Sequence, residues 1–370
     1  MKLFQQLLVA PAALGLLAPL SVSASEVNFD DISTYSNDNL EIDVNSFNQK
    51  STNNLLAGGE GLVDSSDTVG GFSETTTASF GVDFVVGAED GAASEAAAFG
   101  YQMGIGLSTS FTGEDSLDVA IDIGDGTSGA LDFDDTSDVL TVDGLTYSFP
   151  VGGATVLVGD STDVSATFTG ACTYSAFTDA TPDDCGTGNS LGVGGKGVTA
   201  SIGYAFDSGF SLAGGVSSQE KEIMTKEGID LYGIEAAYTA DTYGVAVAYT
   251  SLDNGTSAET TYWGVNAFYA PESGSLPSIS GGIETSESGG TDKSGYFVGL
   301  TWPEVGPGSV NVGLATDKLY ADNETEYFIY EASYSYPIND GMTVTPGVYI
   351  AEKSSGDDDT GILVKTSFSF

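Results

Sequence analysis

The sequence predicts an all-β protein, a 16-stranded antiparallel transmembrane β-barrel with short periplasmic turns and long external loops. Two observations carry this prediction. From about residue 75 onwards, apolar and polar residues alternate in many short segments, which is the pattern of strands with one apolar face and one polar face. The connections between these segments alternate between short and long along the chain, an asymmetry typical of barrels that cross a membrane.

The clearest strand pattern lies over residues 98–111. From Phe99 to Leu107 every second residue is aromatic or aliphatic, and the residues between them are glycine or glutamine. Residues 116–123 repeat the pattern, with Asp118 and Asp122 on the polar face. Because an unpaired carboxylate is costly in a dry core, this face predicts a water-filled interior rather than the core of a β-sandwich.

Sixteen segments follow this pattern, and an even number allows the first and last strands to pair and close the barrel. The predicted strands are 76–86, 98–111, 116–123, 139–149, 154–159, 198–206, 210–217, 229–238, 243–250, 261–270, 277–285, 295–302, 309–316, 326–336, 342–350 and 361–370. Long links are predicted near 87–97, 124–138, 160–197, 218–228, 251–260, 286–294, 317–325 and 351–360.

The N-terminal region has a different composition. Residues 1–24 have the organisation of a signal peptide, with Lys2, an apolar stretch and small residues before Ser25. Residues 25–71 lack strong periodicity and predict a poorly ordered periplasmic leader, so that the barrel occupies 72–370. We therefore expect export through the periplasm to the cell outer membrane.

The charge of the chain excludes several classes of function. The formal net charge is −44, with 9 lysines, no arginine and no histidine. Nucleic-acid binding is excluded because little positive charge is available to neutralise phosphates, and histidine-based catalysis is excluded outright. We expect no enzymatic activity and no cofactor. The acidic runs 132–138 and 357–359 could bind divalent cations weakly, but they lack the spacing of a calcium loop.

The two cysteines, Cys172 and Cys185, are 13 residues apart in a glycine-, aspartate- and threonine-rich stretch. In an exported protein such a pair predicts a disulfide. Two thiolates alone make a poor zinc site, so no metal site is predicted.

Several short motifs resemble cyanobacterial outer-membrane porins of the carbohydrate-selective group. They are the opening residues 1–19, the turn 108–113, the segment Leu-Thr-Tyr-Ser-Phe-Pro-Val-Gly at 145–152 and the ending 358–370. The last strand also resembles the signal that the barrel assembly machinery reads, through Phe368 and Phe370. The resemblance implies a trimeric diffusion channel in contact with lipopolysaccharide. The chain departs from the group because residues 25–71 are too short for the usual S-layer-homology module.

The resemblance also implies that the third long link, 160–197, folds into the barrel and narrows it. Asp83, Asp118, Asp122 and Glu235 are predicted to face the lumen from strands. The loop carboxylates expected at the constriction are Asp160, Asp163, Asp179, Asp183 and Asp184. In the alternative interpretation the loop lies outside and its acidic residues are simply solvated.

These features predict passive diffusion of small hydrophilic solutes, with a preference for cations and neutral molecules, because confined carboxylates concentrate cations and repel anions. A closed outer-membrane barrel with a structural or adhesive role would share the strand pattern. The two differ in whether the barrel conducts ions.

Overall fold

The computed structural model describes residues 75–90, 96–125, 136–191, 197–223, 225, 227–255, 259–272 and 276–370. The predicted signal peptide and leader lie outside these residues and stay predictions. In the described part of the chain, no helix has the length and apolar character needed to cross a membrane. The helical element found there is a single turn, Asp183–Gly186.

The described residues form seventeen strands, and sixteen of these make up the barrel. Their ends lie within four residues of the predicted ones. The strands are β1 (Thr76–Asp90), β2 (Ala98–Thr109), β3 (Ser116–Gly124), β4 (Thr141–Val151), β5 (Ala154–Thr162), β6 (Gly197–Ala205), β7 (Phe210–Ser218), β8 (Asp230–Thr239), β9 (Tyr243–Asp253), β10 (Thr260–Tyr269), β11 (Ser278–Ser288), β12 (Thr291–Val305), β13 (Gly308–Thr316), β14 (Tyr320–Ala321), β15 (Phe328–Asn339), β16 (Met342–Ala351) and β17 (Asp359–Ser369).

The sheet closes on itself. Each barrel strand pairs antiparallel with its neighbours in the chain, and β17 pairs with β1 along ten residue pairs from Gly81–Ser369 to Asp90–Thr360. Phe80 and Phe370 extend this seam by exchanging two backbone hydrogen bonds of 2.9 and 3.1 Å. The two-residue strand β14 pairs with β12 at Lys293 and Ser294 and stands outside the ring. The predicted 16-stranded antiparallel barrel is confirmed.

One predicted long link is wrong. Residues 286–294 were expected to form a loop, but β11 and β12 continue through them and meet in a two-residue turn, Gly289-Gly290. Both glycines have positive φ, 57° and 82°, which a tight hairpin turn of this hand requires. The polar composition of this hairpin suggested a loop, whereas it is a regular strand pair extending beyond the apolar part of the barrel.

The outer face of the barrel is apolar between two rings of aromatic side chains. At the short-turn end the rings of Phe210, Tyr238 and Tyr243 lie in a continuous row with centroid separations of 4.8 and 5.7 Å. At the long-loop end Tyr249 packs on Trp263 at 4.8 Å. Aromatic rings favour the boundary between lipid headgroups and hydrocarbon, so the two rings mark the edges of an apolar belt.

The inner face is lined mainly by glycine, serine, threonine and acidic residues. Apolar packing inside the barrel occurs in small clusters, of which one joins Val85, Phe177, Tyr349 and Leu363. Phe177 belongs to the third long loop, and the other three come from β1, β16 and β17. Among the described residues the interior is packed in separate clusters rather than one continuous core, and the third loop supplies much of what packs there.

Candidate functional site: the third loop and the open wall of the lumen

The third long loop connects β5 to β6 and lies inside the barrel, against the inner faces of later strands. Its outgoing limb crosses the wall from Val164, against Gly233 of β8, to Phe177, against Gly347 of β16. Its returning limb passes back over β11 and β10, where the Ala171 amide and the Asn266 side chain link both limbs to the wall. The loop thus forms a flattened hairpin that covers the wall from β6 to β16.

The loop is held by three buried glutamates, and Glu331 of β15 makes the most contacts. Glu331 is 3% exposed. Its carboxylate accepts hydrogen bonds from the amides of Phe177 and Thr178 at 2.9 and 3.1 Å. It also accepts three hydroxyl hydrogen bonds of 2.8 Å, from Tyr174, Thr178 and Thr181. Five donors on one carboxylate offset the cost of burying its charge.

Glu235 and Glu284 bind the outgoing and the returning limb of the loop in the same way. Glu235 of β8 is 3% exposed and accepts the amides of Thr169 and Gly170 at 2.6 and 2.7 Å. Glu284 of β11 is 1% exposed and accepts the Ser190 amide at 2.6 Å and the Asn189 side chain at 2.7 Å. All three glutamates are balanced by loop donors, with the loop backbone contributing to each.

Glycines on the inner face make room for the loop. A Cβ at Gly282 of β11 would lie 2.0 Å from the Cys185 carbonyl oxygen. A Cβ at Gly264 of β10 would lie 1.9 Å from Ser190 Oγ. At Gly347 the Phe177 ring would be 2.3 Å away. A side chain at any of these positions would force part of the loop to move, and at Gly282 the obstacle is loop backbone, so the glycines form a trench for the loop.

The disulfide predicted between Cys172 and Cys185 is confirmed, with a Cα–Cα distance of 5.7 Å. It joins the outgoing and returning limbs of the loop where they cross β11 and β12. Cys185 is buried against Phe297 and Ala315 of the wall, and Cys172 packs beside them. The cross-link therefore fixes the width of the hairpin at the place where the hairpin lies on the barrel.

Apart from Val85 of β1, which shares an apolar cluster with Phe177, the wall formed by β1 to β4 carries none of the described loop contacts. A Cβ at Gly81 would meet nothing within 4 Å, and one at Gly104 would approach only Asp122 Oδ1, at 3.2 Å. Asp83 of β1 accepts a 3.0 Å hydrogen bond from Gln102 of β2. Asp118 and Asp122 lie on the same inner face of β3, since Asp122 is opposite Gly104 in the register. We call these residues the open wall.

The loop carboxylates occupy different environments. Asp163 accepts hydrogen bonds from the amide and hydroxyl of Ser165 at 2.7 and 2.5 Å. Asp179, Asp183 and Asp184 are exposed. Water reaches Asp184, but the surrounding wall partly desolvates its carboxyl group. This desolvation raises the pKa of Asp184 above the ordinary value of 3.8, and the negative charges of Asp183 and Asp163 raise that pKa further.

Asp160 lies apart from this group. In the register it is opposite Leu145, whose side chain is exposed on the outer face of the barrel. The regular pairing of β5 with β6 is interrupted between Gly159 and Thr162, the interval that contains Asp160. The sheet thus places Asp160 at an outward position, at the edge where β5 runs into the loop.

The sequence reasoning missed Glu284, Glu331 and Asn266 as residues that hold the loop. One signal was present: the tripeptide Gly-Ile-Glu occurs at Gly233–Glu235 and again at Gly282–Glu284. In both copies the glycine and the glutamate face inwards, and the glycine admits the loop while the glutamate binds it. Within the described residues, no three acidic or cysteine side chains are grouped so as to hold a metal ion.

Comparisons with known proteins identify the fold. No family model matches the chain, and no curated protein matches it. Among solved structures, OprB of Pseudomonas putida at high pH is similar with a TM-score of 0.63 and 12% identity, covering 80% of this chain and 94% of that chain. An anion-selective porin from Comamonas acidovorans has a TM-score of 0.61 and 14% identity, over 80% and 99% of the two chains.

A mutant of the Rh. blastica porin is also similar, with a TM-score of 0.54 and 16% identity, covering 80% of this chain and all of that chain. At these identities the likeness establishes the shared architecture. The chain is therefore a closed 16-stranded antiparallel β-barrel of the kind that bacterial outer-membrane porins have.

Proposed function

We propose that this protein is an outer-membrane porin through which small hydrophilic solutes diffuse passively, with cations and neutral molecules favoured over anions. The observation that carries the proposal is the asymmetry of the lumen. The third loop lies on one part of the wall, and the open wall faces it with carboxylates and glycines. Solutes would pass between the two.

The charges on both sides of this path support the cation preference. Asp83, Asp118 and Asp122 belong to the open wall, and Asp183 and Asp184 are exposed on the loop. Carboxylates around a narrow aqueous path raise the local concentration of cations and repel anions. Since the Debye length is about 10 Å at 0.1 M salt and about 3 Å at 1 M, the preference should be strong in dilute salt and weak in concentrated salt.

Whether the barrel favours cations or anions must be determined by this chain's own side chains. One protein of similar fold is described as anion-selective, so the barrel architecture does not determine which ions pass. Among the described residues, Lys365 is the lysine that lies on the inner face at the height of the loop tip. It is opposite Val85 in the strand register. One ammonium group among several carboxylates does not reverse the field.

The apolar belt between two aromatic rings supports a position in the outer membrane. We expect the signal peptide to direct export, Phe368 and Phe370 to be read by the barrel assembly machinery, and the barrel to form homotrimers in contact with lipopolysaccharide. Neither enzymatic activity nor a cofactor forms part of the proposal.

The test is planar-bilayer recording of the refolded protein under a KCl gradient. The proposal expects stable conductance steps with a cation-selective reversal potential. The double variant Asp83→Asn, Asp122→Asn should move that potential towards zero. The matched control is Asp241→Asn, an exposed residue in the short turn between β8 and β9, which should change nothing. Folded protein without conductance would favour the closed structural or adhesive barrel, and an anion-selective potential would contradict the charge argument.

A further inference from the structure

A cavity of about 360 Å³ lies at the long-loop end of the barrel, beside β10, β11, β12 and β14. The strand register places six of its nine lining residues in two neighbouring rows, and Ser286 and Lys293 pair at the position between them. One row contains Trp263, Thr285 and Ser294. The next row, farther from the middle of the barrel, contains Thr261, Glu287 and Asp292. Asp322, which directly follows the short strand β14, adds a carboxylate to the lining.

Trp263 lies at the end of this cavity that is nearer to the middle of the barrel. Its side chain is 54% exposed, and the ring of Tyr249 supports it at 4.8 Å. Two residues farther along β10, Val265 is exposed on the same outward face, and Ile283 and Val298 of the next two strands are exposed beside it. The indole therefore marks the edge of the apolar belt, and the cavity opens immediately beyond that edge.

The chemistry of the lining suits a sugar. A pyranose has a face of C–H groups that packs on an aromatic ring and a rim of hydroxyls that donate and accept hydrogen bonds. The half-exposed indole provides the aromatic surface. The hydroxyls of Thr261, Thr285 and Ser294 and the adjacent carboxylates provide donors and acceptors at the rim.

The charge of the lining narrows the class of ligand. Glu287 and Asp292 are directly opposite each other on neighbouring strands, and Asp322 lies on the same cavity. Lys293 is the one cation in the lining. Three carboxylates against one ammonium group disfavour an anionic headgroup, because like charges in contact are repelled. An uncharged glycosyl group fits better.

We propose that this cavity binds the uncharged glycosyl headgroup of a lipid in the outer leaflet. A lipid rather than a free sugar is favoured by position, since acyl chains attached to a sugar in the cavity would lie over Val265, Ile283 and Val298. The proposal rests on the placement of the barrel in a membrane. It is independent of whether the barrel conducts ions.

The chain offers a matched pair of reporters, because it contains two tryptophans. Trp302 of β12 follows Val298 on the outward face and lies at the opposite end of the apolar belt. The variant Trp302→Phe leaves Trp263 as the sole indole, and Trp263→Phe leaves Trp302. Both are refolded into phosphatidylcholine nanodiscs with or without a monoglucosyl diacylglycerol that has the same acyl chains.

The proposal expects the glycolipid to shift the emission of Trp263 and to remove most of its quenching by acrylamide, while Trp302 is unchanged. Adding Thr285→Leu to the Trp302→Phe variant should abolish this response, since leucine removes a rim hydroxyl and fills space. The proposal is overturned if both tryptophans respond alike, if the response survives Thr285→Leu, or if water-soluble methyl glucoside alone produces it. Heat-dependent mobility on gels verifies that every variant is folded.

Discussion

The covered wall of the barrel, from β6 to β16, and the open wall, from β1 to β4, use the same residue for opposite purposes. Glycines at Gly264, Gly282 and Gly347 lie under the third loop, and a side chain at any of them would collide with it. Gly81 faces the lumen with open space above it, and a Cβ at Gly104 would approach only the Asp122 carboxylate. On one wall the missing side chain admits a piece of protein, and on the other it leaves room for water and solute.

The largest effect should come from adding a side chain to each wall. Gly282→Leu would place atoms where the Cys185 carbonyl lies, at 2.0 Å from a Cβ, so we expect the loop to leave its trench and single-channel conductance to rise. A Cβ at Gly81 would meet nothing within 4 Å, so for Gly81→Leu we expect normal folding and reduced conductance. Bilayer recording compares the two variants. Equal changes in both would show that the two walls are not distinct.

A smaller effect should follow from weakening one attachment of the loop. Glu331→Gln keeps the size of the side chain, and its amide oxygen can still accept the hydrogen bonds made to one carboxylate oxygen. Its amide nitrogen cannot accept those made to the other, which are two at Oε1 or three at Oε2. Each buried donor left unsatisfied costs about 1–3 kcal/mol. We therefore expect faster protease cleavage within residues 163–191. The matched control is Glu304→Gln, because Glu304 is exposed on β12. Unchanged cleavage of Glu331→Gln would mean that the loop does not depend on this carboxylate.

The smallest effect concerns pH. The pKa of Asp184 is raised above 3.8, first by desolvation and then by Asp183 and Asp163, so the carboxylate becomes neutral at a higher pH than an ordinary aspartate. Cation selectivity should fall as the pH is lowered, beginning above the range in which ordinary aspartates protonate. Asp184→Asn should remove that early part of the decline. If the reversal potential has the same pH profile in both proteins, Asp184 is not beside the ion path.

The barrel could be predicted from the sequence because its pattern is local. Alternation within segments of about ten residues specifies a strand and its two faces, and this placed all sixteen barrel strands. The Gly289-Gly290 hairpin was missed because its flanking strands are polar on both faces, so that alternation is absent there.

The attachment of the loop could not be predicted in the same way. Glu331 binds residues about 150 positions earlier in the chain, and nothing in its neighbourhood in sequence indicates that partner. Glu235 was selected because it is an acidic residue on an inward position. Glu284 has the same local pattern, and only the path of the loop reveals what the two share.

The attachment of the third loop also has a consequence for the order of assembly. Glu235, Glu284 and Glu331 all follow the loop in the chain, and they belong to β8, β11 and β15. Because a chain is synthesised from its N-terminus, the loop is made before any of the strands that bind it. The loop can make all its contacts with the wall only when most of the C-terminal strands are in place, shortly before β17 pairs with β1. The width of the lumen is thus set late in folding, after β15 has joined the sheet.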